Sequence, residues 1–322
     1  MPAAILTEKL TKRFGPLTAV DSLDISIEEG EVFALLGPNG AGKTTFISML
    51  CTLIAPTSGS AQVAGHDIIR EGLEVRRKIG IVFQEPSVDD LLSGRENLQL
   101  HSLLYGVPRK EIAPRMERLL TLVGLSDRAE SLVRTYSGGM RRRLEIARGL
   151  IHEPKILFLD EPTLGLDPAS RQAVWGYIRN LKDRSGTTVI LSTHYMEEAD
   201  DLSDRVAIID HGRIREMGSP DDLKRKVGGD IVVLKGAVSP EAFARLDFVK
   251  EIVREDAALR LTVIDAPKRL KAILDLCPAL DEVEVRRVTL EDVFLKFTGR
   301  QMRDEEGADT IFERIATAEK SR

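Results

Sequence analysis

The segment Gly37-Pro38-Asn39-Gly40-Ala41-Gly42-Lys43-Thr44-Thr45 restricts the possible folds of this 322-residue chain more than any other feature. It follows an apolar strand predicted at Glu31–Leu36 and opens a helix predicted to run to about Cys51, which is the setting of a phosphate-binding P-loop. Glycines let consecutive backbone N–H groups turn toward a phosphate, and the helix N-terminus adds positive potential. The alternative is a glycine turn that merely joins strand to helix. The pattern predicts nucleotide binding by Gly37, Asn39, Gly40, Ala41, Gly42, Lys43, Thr44 and Thr45.

Two side chains of this segment have predicted chemical roles. Lys43 supplies a cation for the β- and γ-phosphates of a nucleotide, and the Thr44 hydroxyl ligates Mg²⁺. The predicted cofactors are therefore ATP and Mg²⁺.

Short apolar strands alternate with helical patterns over the first two-thirds of the chain, which predicts an α/β domain at residues 1–222. Consecutive apolar residues are typical of a parallel sheet buried on both faces. Further strands of this kind are predicted at Ile79–Phe83, Lys155–Asp160, Thr188–Ser192 and Val206–Asp210. An antiparallel patch at one edge is predicted from the shorter, more polar strands Ile5–Lys9, Leu23–Ile27 and Ala61–Val63. A helical insertion is predicted at about 86–151, with helices Glu96–Tyr105, Arg109–Val123 and Gly138–Ile151.

The polar stretch Gly218–Gly229 marks a domain boundary, and a second domain is predicted at residues 228–300. Its elements follow the order βαββαβ, which indicates a small α+β ferredoxin-like fold. A charged tail is predicted at 301–322. The elements are strand Asp230–Leu234, helix Pro240–Leu246, strands Val249–Arg254 and Leu259–Ile264, helix Pro267–Leu276, strand Glu282–Arg286 and a last helix Leu290–Phe297.

The strand Lys155–Asp160 ends in two carboxylates, Asp160 and Glu161. Strands often end in Asp at a turn, so the pair alone has little meaning. Together with the P-loop, it predicts that Asp160 holds Mg²⁺ through water and that Glu161 orients and deprotonates the attacking water.

A second anion-binding segment is predicted where Ser137, Gly138 and Gly139 precede a helix. One nucleotide seldom needs two such segments, so we expect a head-to-tail dimer in which each copy closes over the nucleotide of the other. An ordinary serine N-cap followed by a glycine turn is the alternative.

Composition excludes several classes of protein. The chain has 46 Lys and Arg against 51 Asp and Glu, a net charge of −5, so it does not have the basic character of a nucleic-acid binder. Cys51 and Cys277 match no metal spacing and predict no disulfide framework. No signal peptide and no membrane-spanning run are expected, which predicts a cytosolic chain whose membrane role would come through a partner.

These segments, in this order, resemble the nucleotide-binding subunit of an ATP-binding-cassette (ABC) transporter over residues 3–220. The resemblance identifies Gly37–Thr45 as Walker A, Ser137–Gly139 as the signature segment and Ile156–Asp160 as Walker B. It implies that Gln84 touches Mg²⁺ and reports the γ-phosphate to the helical insertion, that His194 contacts the γ-phosphate, and that Asp167 reaches the partner's P-loop. It also implies that Phe14 stacks on adenine, although a phenylalanine there could equally be core. The signature reads YSGGM where the commonest family form is LSGGQ, so the contact usually made by that glutamine is in doubt.

The second domain, which ends in Arg287-Val288-Thr289-Leu290-Glu291-Asp292-Val293-Phe294, resembles the ATPases of the daunorubicin/doxorubicin-resistance type. That resemblance implies an exporter subunit at the inner face of the cell membrane. It would work as a cassette homodimer with a separate integral-membrane permease, without direct nucleic-acid contact. The alternatives are a soluble cassette ATPase acting on nucleic acid or ribosomes, and an importer cassette. The second domain itself could be a regulatory domain, a dimer clamp or a stabilising cap, and subunit contact is the favoured hypothesis.

Overall fold

The computed structural model describes residues 3–299 except 86, 237, 256–257 and 278–279. The chain forms two compact units that divide between Met217 and Gly218. The predicted charged tail at 301–322 lies outside the described residues.

The strands supply three separate sheets. They are β1 (Ala3–Phe14), β2 (Leu17–Glu28), β3 (Val32–Leu36), β4 (Ser58–Val63), β5 (His66–Asp67), β6 (Ile79–Val82), β7 (Ile156–Asp160), β8 (Thr188–Thr193), β9 (Arg205–Asp210), β10 (Arg213–Gly218), β11 (Asp230–Gly236), β12 (Val249–Glu255), β13 (Ala258–Val263) and β14 (Leu280–Arg286).

The helices lie between and beside these strands. They are α1 (Lys43–Leu50), α2 (Gly72–Lys78), α3 (Gly94–Leu104), α4 (Arg109–Leu122), α5 (Gly138–Leu150), α6 (Pro168–Ser185), α7 (Met196–Leu202), α8 (Pro220–Val227), α9 (Ala266–Leu274) and α10 (Leu290–Thr298).

The central sheet of the first unit has the order β10-β9-β3-β8-β7-β6. Strand β3 pairs in parallel with both β8 and β9, and β7 pairs in parallel with both β6 and β8. Every residue of β3, β7 and β8 is buried, which is why these strands have continuous apolar sequences. The predicted parallel α/β core is therefore confirmed, with β10 added beyond the predicted strands.

The antiparallel sheet of the first unit has the order β2-β1-β4-β5. Its first two strands have 12 residues each, more than the predicted segments, and their pairing register shifts at several points. Exposed polar residues interrupt the buried positions along both strands, so the length of the apolar runs underestimates the strand length. The predicted strands were too short for this reason.

The predicted helical insertion forms α3, α4 and α5, whose bounds lie within two residues of the predicted ones. Short 3-10 turns at Ser126–Arg128 and Val133–Thr135 lie between α4 and α5, where the sequence pattern suggested almost continuous helix. Ser93 and Glu96 form a capping box at the start of α3, which fixes where this helix begins.

The second unit has an antiparallel sheet in the order β12-β13-β11-β14, the strand order of a ferredoxin-like fold. The predicted helix Pro240–Leu246 is wrong in extent, because only a 3-10 turn forms at Pro240–Ala242. Phe243 follows this turn and is fully buried in the same hydrophobic cluster as Leu261, so it packs in the core without a helix around it. Helix α8 belongs to this unit, although the predicted boundary divided it, because it packs on α10 and Lys296 Nζ donates to the Lys226 carbonyl at 2.9 Å.

Candidate active site

The candidate site lies at the carboxyl ends of three neighbouring strands of the central sheet. Register pairs Leu36 at the end of β3 with Thr193 of β8, and Asp160 at the end of β7 with Ser192 of β8. Because parallel strands end at the same edge, the segments that follow them meet there. Residues far apart in sequence are thus brought together as the sequence predicted.

The P-loop needs glycine at two positions because backbone atoms lie too close for a side chain. A Cβ at Gly37 would lie 2.2 Å from the Ile209 carbonyl oxygen, and one at Gly42 would lie 2.3 Å from that of Ala19. Gly42 also has a φ of +105°, which disfavours other residues. Helix α1 begins at the next residue without a side-chain cap and without an acidic residue in its first turn. Its N-terminal amides are suited to bind an anion.

Lys43 lies inside this turn, with 5% of its surface exposed. Its Nζ donates to the Gly37 carbonyl at 2.7 Å and to the Pro38 carbonyl at 3.2 Å. The same atom lies 3.0 Å from Glu161 Oε1. The predicted catalytic carboxylate therefore balances the charge of Lys43.

Glu161 follows β7 in a left-handed backbone conformation, with a φ of +49°. Its backbone N–H donates to the Ser192 Oγ at 3.1 Å. Its Oε2 lies 2.8 Å from Nδ1 of His194. Burial opposes ionisation of this carboxyl, but the hydrogen bond with His194 and the charge of Lys43 outweigh it and lower the pKa of Glu161. The predicted base is thus a buried carboxylate held between two predicted site residues.

The predicted metal ligands Thr44 and Asp160 are in contact. Thr44 Oγ1 donates to Asp160 Oδ1 at 3.2 Å, and the Ser192 hydroxyl donates to the same oxygen. Burial raises the pKa of Asp160, although these hydrogen bonds act in the opposite direction. A hydroxyl and a single carboxylate beside a phosphate site are the oxygen donors that Mg²⁺ uses with nucleotides. The donor set therefore fits this metal.

The signature segment lies at the start of α5. Ser137 is the N-cap of this helix, and its Oγ accepts from the Met140 N–H at 3.2 Å. Ser137 and Gly138 are exposed, and a Cβ at Gly138 would meet no atom closer than Leu166 Cδ2 at 3.8 Å. Gly139 is buried, and a Cβ there would lie 2.4 Å from Ser170 Oγ. The two glycines thus differ: a side chain at Gly138 has room, whereas one at Gly139 would clash within the chain.

The remaining predicted site residues lie at the ends of elements. Gln84 is exposed just after β6. Asp167 is the N-cap of α6, its Oδ1 accepts from the Ser170 N–H at 3.0 Å, and hydrogen bonds from Ser170 lower its pKa. Phe14 ends β1, half-buried, with Lys12 Nζ 5.0 Å from its ring centroid. The roles of these three residues stay predictions.

Sequence reasoning missed several polar residues that contact the site. Ser192 bonds both carboxylate residues, and Arg142 and Glu145 form a buried ion pair at 3.1 Å on α5. The available signal was the spacing of Arg142, Glu145 and Arg148, which lie three residues apart and therefore on one face of the helix.

None of the helices in the described part of the chain combines the length and the apolar character that crossing a bilayer requires.

Comparison with known proteins agrees with this geometry. The ABC transporter family matches residues 20–164, and the family described as "ATP-binding protein DrrA1-3-like, C-terminal domain" matches residues 218–298. The daunorubicin resistance ATP-binding protein DrrA3 of Streptomyces coeruleorubidus is 42% identical over 315 residues, which cover 95% of this chain and 99% of the relative. The chain belongs to the ABC transporter family.

Further relatives of this ABC protein match it over most of its length. The Nod factor export ATP-binding protein I of Ralstonia nicotianae is 40% identical, covering 92% of this chain and 94% of the relative. The doxorubicin resistance ATP-binding protein DrrA of Mycobacterium tuberculosis is 38% identical, covering 92% and 93%. The predicted resemblance to the daunorubicin/doxorubicin-resistance type is confirmed.

Solved structures match the ABC cassette. The cbiO1 protein of Clostridium perfringens, part of the ABC transporter complex cbiONQ, superposes with a TM-score of 0.65 at 29% identity, covering 70% of this chain and 95% of that one. A dimeric ATP-binding cassette in a post-hydrolysis state with ADP and Pi gives a TM-score of 0.61 at 27% identity, covering 67% and 98%. The predicted fold class and the prediction of a nucleotide-binding ATPase are confirmed.

Proposed function

We propose that this chain is the ATPase subunit of an exporter whose membrane-spanning half is a separate permease. The observation that carries the proposal is the cluster at the sheet edge, where Lys43 and His194 both contact the carboxylate of Glu161. A cation for phosphate and a buried base at one place are what ATP hydrolysis requires.

In this proposal the P-loop amides and Lys43 bind the β- and γ-phosphates of ATP. Mg²⁺, when bound, neutralises charge on the phosphates, and Thr44, Asp160 and Gln84 are the residues that would hold it. On entry of the γ-phosphate, Lys43 exchanges the carboxylate for phosphate oxygen. Glu161 is then released to accept a proton from the attacking water, while His194 contacts the γ-phosphate. The other nucleotide contacts proposed are Phe14, Gly37, Asn39, Gly40, Ala41, Gly42 and Thr45.

Two copies of the chain are proposed to close head-to-tail around two ATP molecules. The support is the exposed Ser137–Gly138 segment, where the serine hydroxyl accepts the cap bond and keeps its proton for a phosphate oxygen. Asp167, exposed at the start of α6, is proposed to reach the P-loop of the partner subunit. The ADP-bound cassette of known structure is also dimeric, which supports pairing of two copies.

Helix α3 is the proposed contact with the permease. Its buried face includes Leu98, whereas Leu103 and Leu104 on the other side are 53% and 70% exposed. Leu91, just before the helix, is 75% exposed. Exposed leucines on one segment are suited to contact with an apolar partner surface. Contact with a permease there would place the chain at the inner face of the membrane and pass closure of the dimer to the transport path.

Export is favoured by the relatives, whose names describe drug resistance and Nod factor export. We propose efflux of a drug, lipid or similar compound as the transport activity.

Size-exclusion chromatography with Mg·ATP tests the shared site. Glu161→Gln is expected to slow hydrolysis about 100-fold or more and to accumulate an ATP-bound dimer. Adding Gly138→Ala in the same chain is expected to return it to monomer without lowering its melting temperature, because within one chain the new methyl group makes only an ordinary contact with Leu166 Cδ2 at 3.8 Å. A Glu161→Gln protein that stays monomeric with ATP, or a Gly138→Ala variant that dimerises normally, would contradict the shared-site proposal.

A further inference from the structure

Arg142 connects three segments of the candidate active site through one guanidinium group. It lies on α5 and is 7% exposed. Its Nη2 donates to the carbonyls of Asp160 at 2.8 Å and Glu161 at 3.1 Å, and its Nε donates to that of Pro162 at 2.8 Å. Its Nη1 donates to the Phe83 carbonyl, directly before Gln84. The backbone on both sides of the proposed base is therefore bonded to the same group as the residue before Gln84.

Glu145, one turn along the same helix, completes the arrangement. Its Oε2 pairs with Arg142 Nη1 at 3.1 Å, and its Oε1 accepts from the Ser87 N–H at 2.7 Å. Arg148, a further turn along, donates to the carbonyl and the hydroxyl of Ser87. Helix α5 thus holds the loop around Gln84 at Phe83 and at Ser87.

The contacts of Arg142 matter because Glu161 adopts an unfavourable conformation. A left-handed backbone is unfavourable for a residue with a side chain, so it persists only where its neighbours hold it. Here the N–H of Glu161 is bonded to Ser192 and its carbonyl to Arg142. A planar guanidinium offers donors in fixed directions, which a lysine ammonium on a flexible stem does not reproduce.

We propose that Arg142 is a positioning residue for ATP hydrolysis, which sets the backbone of Glu161 and the start of the Gln84 loop relative to the signature helix. The proposal rests on the role of Glu161 as the base. Since α5 begins at Ser137–Gly139, any displacement of this segment by the nucleotide of the partner subunit reaches Glu161 and Phe83 through a single side chain. Arg142 thereby couples the signature segment of one chain to the hydrolytic site of the same chain.

The test measures kcat and KM for ATP in the full-length protein, together with the melting temperature. Arg142→Lys keeps the positive charge but loses the planar guanidinium group and the fixed directions of its N–H donors. The double variant Arg142→Gln/Glu145→Gln removes both buried charges together, so neither is left uncompensated. Arg115→Gln is the matched control, because this half-buried arginine also donates to a backbone carbonyl, that of Ile151, and pairs with carboxylates away from the site.

If Arg142 positions Glu161, kcat falls about 100-fold in Arg142→Lys while KM stays within about twofold of wild type. The same role predicts that the double variant regains the melting temperature lost by Arg142→Gln alone but keeps the low kcat. Arg115→Gln is expected to keep its kcat. A purely structural role would instead make kcat recover with the melting temperature in the double variant, and that result overturns the proposal. A normal kcat in Arg142→Lys overturns it as well. Glu161→Gln in the same assay separates the role of Glu161 as the base from the role of Arg142. Full activity of Glu161→Gln would show that Glu161 is not the base, whatever the Arg142 variants do.

Discussion

Replacing Glu161 by Gln has a second effect, on the protein without nucleotide. Lys43 and Glu161 are each 5% exposed, and Lys43 Nζ lies 3.0 Å from Glu161 Oε1. The substitution keeps the shape of the side chain and removes its charge. It therefore leaves the buried ammonium of Lys43 facing neutral acceptors in place of a carboxylate: the new amide oxygen and the carbonyls of Gly37 and Pro38.

The expected cost follows from this geometry. Two opposite charges about 3 Å apart attract by about 5 kcal/mol at an effective dielectric constant of about 20. Removing one member of a buried pair typically costs about 3–5 kcal/mol. Since the amide oxygen and two carbonyls still accept from the ammonium, we expect about 3 kcal/mol, near the lower end of that range. For a unit of roughly 200 residues this corresponds to a melting temperature lower by roughly 6 °C or more.

ATP should reverse this loss, because its phosphates supply the negative charge that Lys43 has lost. If the phosphates return about half of the penalty, about 1.4 kcal/mol, the variant binds nucleotide about tenfold more tightly than wild type. The stabilisation by saturating nucleotide is then larger in the variant than in wild type.

Differential scanning calorimetry and isothermal titration with a non-hydrolysable ATP analogue measure both quantities. Glu117→Gln serves as the control, since this carboxylate is 58% exposed in its ion pair with Arg95 and its loss should change stability by less than about 1 kcal/mol. If Glu161→Gln without nucleotide is as stable as wild type and binds the analogue no more tightly, the Lys43–Glu161 ion pair does not have the predicted effect on stability and binding.

Two further predictions concern the helical insertion. Gly139→Ala should destabilise the protein by about 1–3 kcal/mol in urea denaturation, because its Cβ would lie 2.4 Å from Ser170 Oγ, whereas Gly138→Ala should stay within about 0.5 kcal/mol of wild type. Burial, the charge of Arg148 and the nearby His152 lower the pKa of His101 from 6.5 to about 4. The unfolded chain then binds a proton that the folded chain does not, so stability falls as the pH drops from 6.5 toward 4, and His101→Gln should lose less stability between pH 7 and pH 5.

The part of the site that the sequence predicted is the part built from local patterns. The P-loop follows a buried strand and opens a helix, and Asp160 and Glu161 end another buried strand, so apolar runs locate both. Parallel pairing then brings the ends together without further information. His194 was placed by family resemblance, and it does contact Glu161.

The part that the sequence did not predict depends on contacts between distant segments. Arg142 and Glu145 resemble the solvent-facing charges of an ordinary helix, and only the packing of α5 against the sheet edge buries them. Exposed polar residues hid the true lengths of β1 and β2. In the second unit, the segment predicted as a helix forms only a 3-10 turn, and the Phe243 that follows it is buried in the core.

The position of β3 has a mechanical consequence. This strand is bonded along both sides, to β8 and to β9, so the turn that follows it is anchored to the interior of the sheet rather than to a free border. Displacing the backbone of that turn would disturb two ladders at once, whereas the Arg142 contacts that join α5 to the sheet edge run through a side chain. The P-loop is therefore fixed to the interior of the sheet, and any movement of the helical insertion has to be accommodated by the side-chain bonds that join α5 to the sheet edge.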